Sequence, residues 1–207
     1  MTRETPDKCL LILLDGLADR AQPALGGATP LMAAATPNLD RLAAGGSCGY
    51  FHASRPGQAL PSEMAHYLMM GAPEELFPGR GYLEALGFGF AVGPGQAAFL
   101  ANLAICRPRG GRLILEKKKP PLPPGHGKEF MAAIAGIPGF DLFHTVKSGG
   151  VLLMGAPASS YLTDTDPMQP GRPILAPRPL VEAPDPDLAA KSAEALARWT
   201  RAAATPT

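Results

Sequence analysis

The sequence has little of several features that mark particular classes of protein. Its 207 residues include only three cysteines, at positions 9, 48 and 106, and no Cys-x-x-Cys pair. This spacing argues against a disulfide framework and against a zinc clip. We therefore expect a protein of the reducing cytoplasm that does not depend on disulfide bonds.

Excess charge of one sign and long apolar runs are also absent. The formal net charge of +1 gives no global field that would recruit nucleic acid or anionic lipid. The apolar run at residues 9–14 is too short to span a bilayer, is followed by Asp15, and lacks the cleavage site of a secretory signal. We therefore expect no nucleic acid and no membrane among its partners, and we expect any binding to depend on a local site.

The residues that are abundant point to a folded protein with an aliphatic core. Apolar residues make up 46% of the chain and aromatic residues only 6%. The 24 glycines and 24 prolines alternate with periodic apolar segments, which is typical of many tight loops around folded elements. The length allows one core, or one core with a small subdomain.

Apolar patterning predicts the individual elements of an α/β protein. The continuous run at residues 8–14 predicts a strand buried on both faces, as in a parallel sheet flanked by helices. Further strands are predicted within residues 48–54, 96–106, 111–116, 139–146 and 149–155. Helices are predicted within residues 36–46, 62–70, 79–90, 128–137 and 185–204. The proline-rich stretch at 117–127 is the clearest break in this pattern.

Two residues at the ends of predicted elements are candidates for chemistry. Asp15 follows the first predicted strand, and ligands of open α/β sheets gather outside the carboxyl ends of strands. Its carboxylate is either a ligand for a divalent metal or the side chain that turns the chain before Gly16. Ser62 opens a predicted helix after Pro61, so it is either an N-cap or a nucleophile favoured by the helix dipole and free amides. The residue types alone leave both alternatives open in each case.

Two further side chains are candidates for binding a substrate. His66 lies one helical turn after Ser62 and on the same face, so it either reaches the same pocket or is packed and hydrogen-bonded. Arg80 is either a phosphate clamp, because a guanidinium group matches phosphate with two hydrogen bonds, or a solvated side chain.

Several motifs in consistent order carry a resemblance to a known family. They are the stretch from "LLILLDG" to "TPNLDRLAAGG", then "PSEMAHYLMMGAPEE", "GRGYLEALGFG" and "YLTDTDP". Together they resemble the N-terminal half of the archaeal-type 2,3-bisphosphoglycerate-independent phosphoglycerate mutases, which belong to the alkaline phosphatase superfamily. The likeness runs from Lys8 to Arg201.

The resemblance implies a fold and a reaction. Residues 1–105 would form a partial alkaline phosphatase-like α/β core, with a parallel-sheet strand and flanking helices. Residues 106–180 would form a small inserted α/β subdomain, and residues 181–207 a C-terminal helix that leads back toward the core. The implied reaction is the glycolytic interconversion of 3- and 2-phosphoglycerate through a phosphoserine intermediate. We therefore expect a small phosphorylated metabolite as substrate and a cytoplasmic location.

The resemblance also implies roles for individual residues. Asp15 matches a ligand of a two-metal centre that holds manganese, magnesium or zinc. Ser62 matches a residue that is both a metal ligand and the nucleophile that accepts the phosphoryl group. Arg80, Asn102 and His66 are then expected to bind substrate.

The sequence departs from the family pattern in ways that bear on activity. Leu100 stands where relatives have the arginine of Phe-Arg-x-Asn, Glu63 where they have Asp, and Met168 where they have His. The family chain is longer, and its second half supplies the remaining Asp and His metal ligands. We therefore expect a truncated or split mutase-like enzyme, inactive as this chain alone and completed by a second polypeptide or by a homo-oligomer. The alternatives are a non-catalytic ligand-binding or regulatory module that kept the fold, and another phosphoryl transferase of the superfamily.

Overall fold

The computed structural model describes residues 8–204, which fall into two compact units. The first unit ends at Pro56 and the second begins at Gly57. The domain boundaries that the sequence predicts after residues 105 and 180 stay predictions. None of the helices within residues 8–204 combines the length and apolar content that crossing a membrane requires.

In residues 8–56 of the first unit the regular elements are short helices. A 3-10 turn at Pro23–Leu25 is followed by helix α1 at Pro30–Ala33 and helix α2 at Pro37–Gly45. The amide of Met32 donates a hydrogen bond to the hydroxyl of Thr29 at 3.2 Å, which caps α1. Every described residue of this unit, from position 8 to position 56, is exposed or half-buried. The described part of the first unit therefore has no buried core.

The predicted buried strand at residues 8–14 is wrong for this structure. These residues have no regular secondary structure, and Leu10 and Ile12 are 82% and 66% exposed. A buried strand requires neighbouring strands for its backbone groups and apolar cover for both faces. The described residues of the first unit supply neither. The strand predicted at 48–54 fails for the same reason, and Tyr50 is 98% exposed.

The second unit combines helices with two small sheets. Helix α3 spans Ser62–Met69, a 3-10 turn spans Glu74–Leu76, and helix α4 spans Arg80–Gly87. The strands are β1 at Ala97–Asn102, β2 at Ala104–Arg109, β3 at Arg112–Lys118, β4 at Phe140–His144 and β5 at Gly149–Met154. Helix α5 at His126–Ala133 lies between β3 and β4 in sequence, and helix α6 spans Pro186–Ala204. These elements confirm the helices predicted for the second unit and the strands predicted at 111–116, 139–146 and 149–155. The single strand predicted at 96–106 is instead two strands, β1 and β2, which belong to different sheets.

The strands pair in an antiparallel manner. One sheet has the order β1-β5-β4, so β5 is central and Leu152 lies between Phe99 on β1 and Leu142 on β4. Strands β2 and β3 form a separate antiparallel hairpin. Among the strands of residues 8–204 no pair is parallel, which corrects the parallel-sheet strand in the predicted fold. The fold is a mixed arrangement of helices and antiparallel sheets.

The central strand places apolar side chains on both faces of its sheet. Val151 and Leu153 pack with Ala85 of α4 on one face. Leu152 and Met154, which alternate with them, pack with Leu196 of α6 on the other face. Helices α4 and α6 therefore cover opposite faces of the sheet, and α4 connects this core to the region of Ser62.

Candidate active site around Ser62

Ser62 is the first residue of α3. The preceding residue, Pro61, occupies the N-cap position with an extended backbone, and no side-chain hydrogen bond caps this helix in the part of the chain described here. The interpretation of Ser62 as a helix cap is therefore wrong. Its side chain is exposed beside the free amides of the first turn, where the helix dipole favours a negative charge.

Glu63 and His66 share α3 with Ser62. The carboxylate Oε2 of Glu63 lies 3.8 Å from Nη1 of Arg80, at the start of α4. His66 is exposed one turn after Ser62. The structure thus brings Arg80 to the first turn of α3, through the residue next to Ser62.

Contacts with the sheet fix the position of Arg80. Gly81 is buried, and a Cβ atom there would overlap the backbone of Ala98 on β1. Glycine lets α4 approach β1 this closely, which sets where the Arg80 backbone lies. The sheet therefore positions α4, and α4 carries the cation that pairs with Glu63.

A second set of contacts holds the other end of α3. The hydroxyl of Tyr67 donates a hydrogen bond to the carbonyl oxygen of Leu76 at 2.9 Å. Its ring meets that of Phe77 edge to face, with ring centroids 5.2 Å apart. The segment after α3 is thereby folded back against the helix that carries Ser62.

Asn102 lies elsewhere in the second unit, at the end of β1. It is paired with Gly149 of β5 and is exposed. The hydroxyl of Thr145 lies near the same glycine, is buried, and has no hydrogen-bond partner within residues 8–204. Sequence reasoning missed Thr145. The sequence did contain a signal, because two consecutive glycines, at 149 and 150, within a predicted strand indicate that other atoms pack closely against the backbone there.

Asp15 belongs to the first unit. It forms an exposed turn with Gly16, whose φ of 73° lies in the left-handed region that glycine favours. The predicted pocket shared by Asp15 and Ser62 stays a prediction, because the two residues belong to different units.

Comparison with known proteins identifies a family for most of the chain. Residues 43–205 match the family model of the 2,3-bisphosphoglycerate-independent phosphoglycerate mutases. This chain belongs to that family. The match includes α3, α4 and both sheets, so the elements around Ser62 are family elements.

Relatives and a solved structure agree with the family. A mutase of Methanopyrus kandleri is 39% identical over 208 residues, which cover 95% of this chain and 48% of that protein. One of Ignicoccus hospitalis is 37% identical over 186 residues, covering 86% of this chain and 45% of that protein. The structure of the cofactor-independent phosphoglycerate mutase of Thermoplasma acidophilum aligns with a TM-score of 0.51 at 33% identity, over 92% of this chain and 50% of that one. The chain thus spans about half the length of the curated relatives it matches.

The two-metal centre expected from the family resemblance does not fit the described residues on their own. Within residues 8–204 no group of three or more His, Cys, Asp or Glu side chains lies close enough together to hold a metal ion. A two-metal site needs several such ligands around each ion. Ligands beyond those described would have to complete it.

Cys106 is the other nucleophilic group with a distinctive environment. Burial raises the pKa of its thiol, and the neighbouring carboxylate of Glu116 raises it further. A thiol with a raised pKa is protonated at neutral pH and is a poor nucleophile. Ser62 therefore remains the candidate nucleophile of this mutase-family chain.

Proposed function

We propose that this chain supplies the phosphoserine part of a phosphoglycerate mutase, with Ser62 as the nucleophile. The observation that carries the proposal is the position of Ser62 as the exposed, uncapped first residue of α3 in a member of the family. Free amides at a helix start favour a phosphate group on that hydroxyl. In this proposal Asp15 and Ser62 also contribute ligands for manganese, magnesium or zinc.

The proposed reaction moves one phosphoryl group between two oxygens of glycerate. The oxygen of Ser62 forms a bond to phosphorus as the bond to the 3-oxygen breaks, and the serine proton passes, directly or through a base, to the leaving 3-oxygen. Glycerate then turns in the pocket, and its 2-oxygen takes the phosphoryl group from Ser62 while the proton of the 2-hydroxyl returns to the serine oxygen. We assign Arg80, Asn102 and His66 to substrate binding, with Arg80 exchanging its ion pair with Glu63 for a phosphate oxygen.

We propose that the chain alone has little or no mutase activity. Two observations support this: the described residues lack a group of metal ligands, and the apolar run at 10–14 is exposed. A second polypeptide that supplies strands and metal ligands would address both, and self-association is the other route. We also propose a cytoplasmic location, supported by the three free thiols at positions 9, 48 and 106.

A complementation assay tests the proposal. The chain is assayed for conversion of 3- to 2-phosphoglycerate alone, with added Mn²⁺, and with the C-terminal half of the Methanopyrus kandleri mutase as a separate polypeptide. We expect turnover only in the complemented sample, and we expect Ser62→Ala to abolish it. Ser160→Ala, which removes another exposed serine hydroxyl of the same unit, is the matched control and should keep full activity.

Each outcome has a definite meaning. Turnover by the isolated chain with Mn²⁺ would disprove the claim that it needs a second polypeptide, and would show that self-association or an unrecognised ligand set completes the site. Stable association of the two polypeptides without turnover would favour a non-catalytic module that kept the fold. Turnover of another phosphate or sulfate ester in place of phosphoglycerate would favour a different transferase of the superfamily.

A further inference from the structure

A cavity lies between α6 and the loops that flank β4 and β5. Its volume is about 570 Å³. Its described lining includes none of the five predicted site residues Asp15, Ser62, His66, Arg80 and Asn102. The cavity is therefore separate from the residues assigned to the proposed mutase reaction.

The inner wall of the cavity is apolar and partly aromatic. It is lined by Phe140, Met154, Leu188 and Trp199. The rings of Phe140 and Trp199 are tilted by 41°, with centroids 6.0 Å apart. A flat apolar group placed against this wall would gain from burial of apolar area and from contact with the indole ring.

The α6 side of the cavity carries two cations. Lys191 and Arg198 both line it and are seven residues apart on α6, which places them on one helix face about 10 Å apart along the axis. Nη1 of Arg198 is 3.9 Å from Oε2 of Glu194, and both side chains are mostly exposed, so that ion pair is weak. The described lining residues include no carboxylate. The cations are therefore free to bind an anion at the mouth of the cavity.

We propose that this cavity binds a small aromatic anion, a flat apolar body that carries a carboxylate, sulfonate or phosphate group. The volume lies in the range of small-molecule sites, about 300–1,000 Å³. The apolar wall would hold the ring system and Lys191 or Arg198 the charge. Phosphoglycerate has no apolar body, so this site is distinct in chemistry from the proposed active site.

The sole tryptophan of the chain gives a direct readout of the site, because Trp199 is part of the wall. The full-length chain is titrated with 1-anilinonaphthalene-8-sulfonate while Trp199 emission is recorded. We expect saturable quenching with one probe bound per chain. The neutral analogue N-phenyl-1-naphthylamine is titrated in parallel to separate the contribution of charge from that of the apolar body.

Charge reversal tests the role of the two cations. The double variant Lys191→Glu with Arg198→Glu should weaken binding of the sulfonate probe by about tenfold or more, and should change binding of the neutral probe far less. Both side chains are exposed, so folding should be preserved. The double variant Lys128→Glu with Arg178→Glu makes the same change in net charge outside the cavity lining and is the control.

A second variant tests the volume. Ala195→Leu extends a side chain into the cavity from α6 and should weaken binding of both probes. The proposal is overturned if charge reversal leaves the sulfonate affinity unchanged, or if Trp199 emission does not respond to either probe. It is also overturned if Trp199 emission changes with protein concentration alone, because the occupant would then be a second copy of the chain.

Discussion

Glu63 and Arg80 form an ion pair that joins the first turn of α3 to the first turn of α4, with 3.8 Å between Oε2 and Nη1. The next residue after Arg80 is Gly81, which touches the backbone of β1. Ser62 directly precedes Glu63 in the sequence. The environment of the candidate nucleophile thus depends on how closely α4 packs against the sheet.

This packing makes two glycines of one helix respond in opposite ways to the same change. Gly81→Ala should lower the free energy of unfolding by about 1–3 kcal/mol, because its Cβ would overlap the backbone of Ala98. Gly87→Ala should raise it by about 0.5 kcal/mol, because a Cβ there meets no atom of the described chain within 4 Å and the unfolded state loses freedom. Urea unfolding of both variants checks the pair. Equal effects would show that α4 does not lie this close to β1.

The unpartnered hydroxyl at the end of β4 predicts a stabilising substitution. Thr145→Val should raise the free energy of unfolding by about 1 kcal/mol, since it removes a buried oxygen that lacks a hydrogen bond and keeps the shape. Thr163→Val should lower it by about 0.5–1 kcal/mol, since the Thr163 hydroxyl accepts a hydrogen bond from the amide of Arg178 at 3.0 Å. Thermal unfolding compares the two variants. A loss of stability in Thr145→Val would mean that this hydroxyl has a partner.

Thiol labelling at different pH values tests the environment of Cys106. Burial and the charge of Glu116 both raise its thiol pKa, so alkylation of Cys106 by iodoacetamide should accelerate only at a pH above the usual thiol range. Glu116→Gln removes the second cause. This variant should shift the pH dependence of labelling to lower pH, but not fully, because burial still raises the thiol pKa. Labelling is measured by mass spectrometry of the peptide that contains Cys106. A shift in the opposite direction would contradict the proposed role of Glu116.

Substitutions in the apolar run at 10–14 should affect association with a second polypeptide without affecting the stability of the isolated chain. Leu10→Lys should change the free energy of unfolding of the isolated chain by less than about 0.5 kcal/mol, because the side chain is 82% exposed. Leu152→Ala, in the central strand, should cost about 2–5 kcal/mol. In the complementation assay Leu10→Lys should reduce association with the second polypeptide. Undiminished association would show that the run is not part of that interface.

Limited proteolysis distinguishes the two units. Trypsin should cut first after Arg20 and Arg41, because no described residue of the first unit is buried. The Lys-rich end of β3 should resist longer, since Lys118 pairs with Asp166 at 3.3 Å and Pro120 is buried. Peptide mapping of early time points checks the order. First cleavage within 117–127 would instead support a domain boundary near residue 105.

Local sequence patterns predicted much of the second unit because several of its elements are stabilised by residues that lie close together in the sequence. Helix α6 carries its apolar stripe and its cap in one segment, and the amide of Leu188 donates to Oδ1 of Asp185 at 2.9 Å. Strands β4 and β5 pair with each other across a short connection. Such short-range features are visible in sequence. The order β1-β5-β4 is not, because it depends on which distant segment pairs with β5.

The first unit and Ser62 show where sequence patterns fail. Residues 8–14 have the composition of a buried strand. A strand forms only beside other strands, however, and composition does not show where those neighbouring strands are. Serine is a preferred cap, yet Pro61 takes that position and Ser62 becomes the first helical residue. A shift of one residue at a helix start lies within the usual uncertainty of sequence-based boundaries. At the N-cap position the serine hydroxyl would accept a hydrogen bond from a helix amide, whereas as the first helical residue it makes no such bond within the described residues.

The strand order has a consequence for synthesis of the chain. In the β1-β5-β4 sheet the central strand is the last of the three in sequence, so β1 and β4 have no partner in this sheet until Gly149–Met154 leaves the ribosome. The β2–β3 hairpin closes through a short turn and can form earlier. During translation β1 therefore lacks its strand partner while about 50 residues are added, although α4, which precedes β1 in sequence, can already pack on one of its faces. The growing polypeptide is most vulnerable to aggregation and to chaperone capture in that interval.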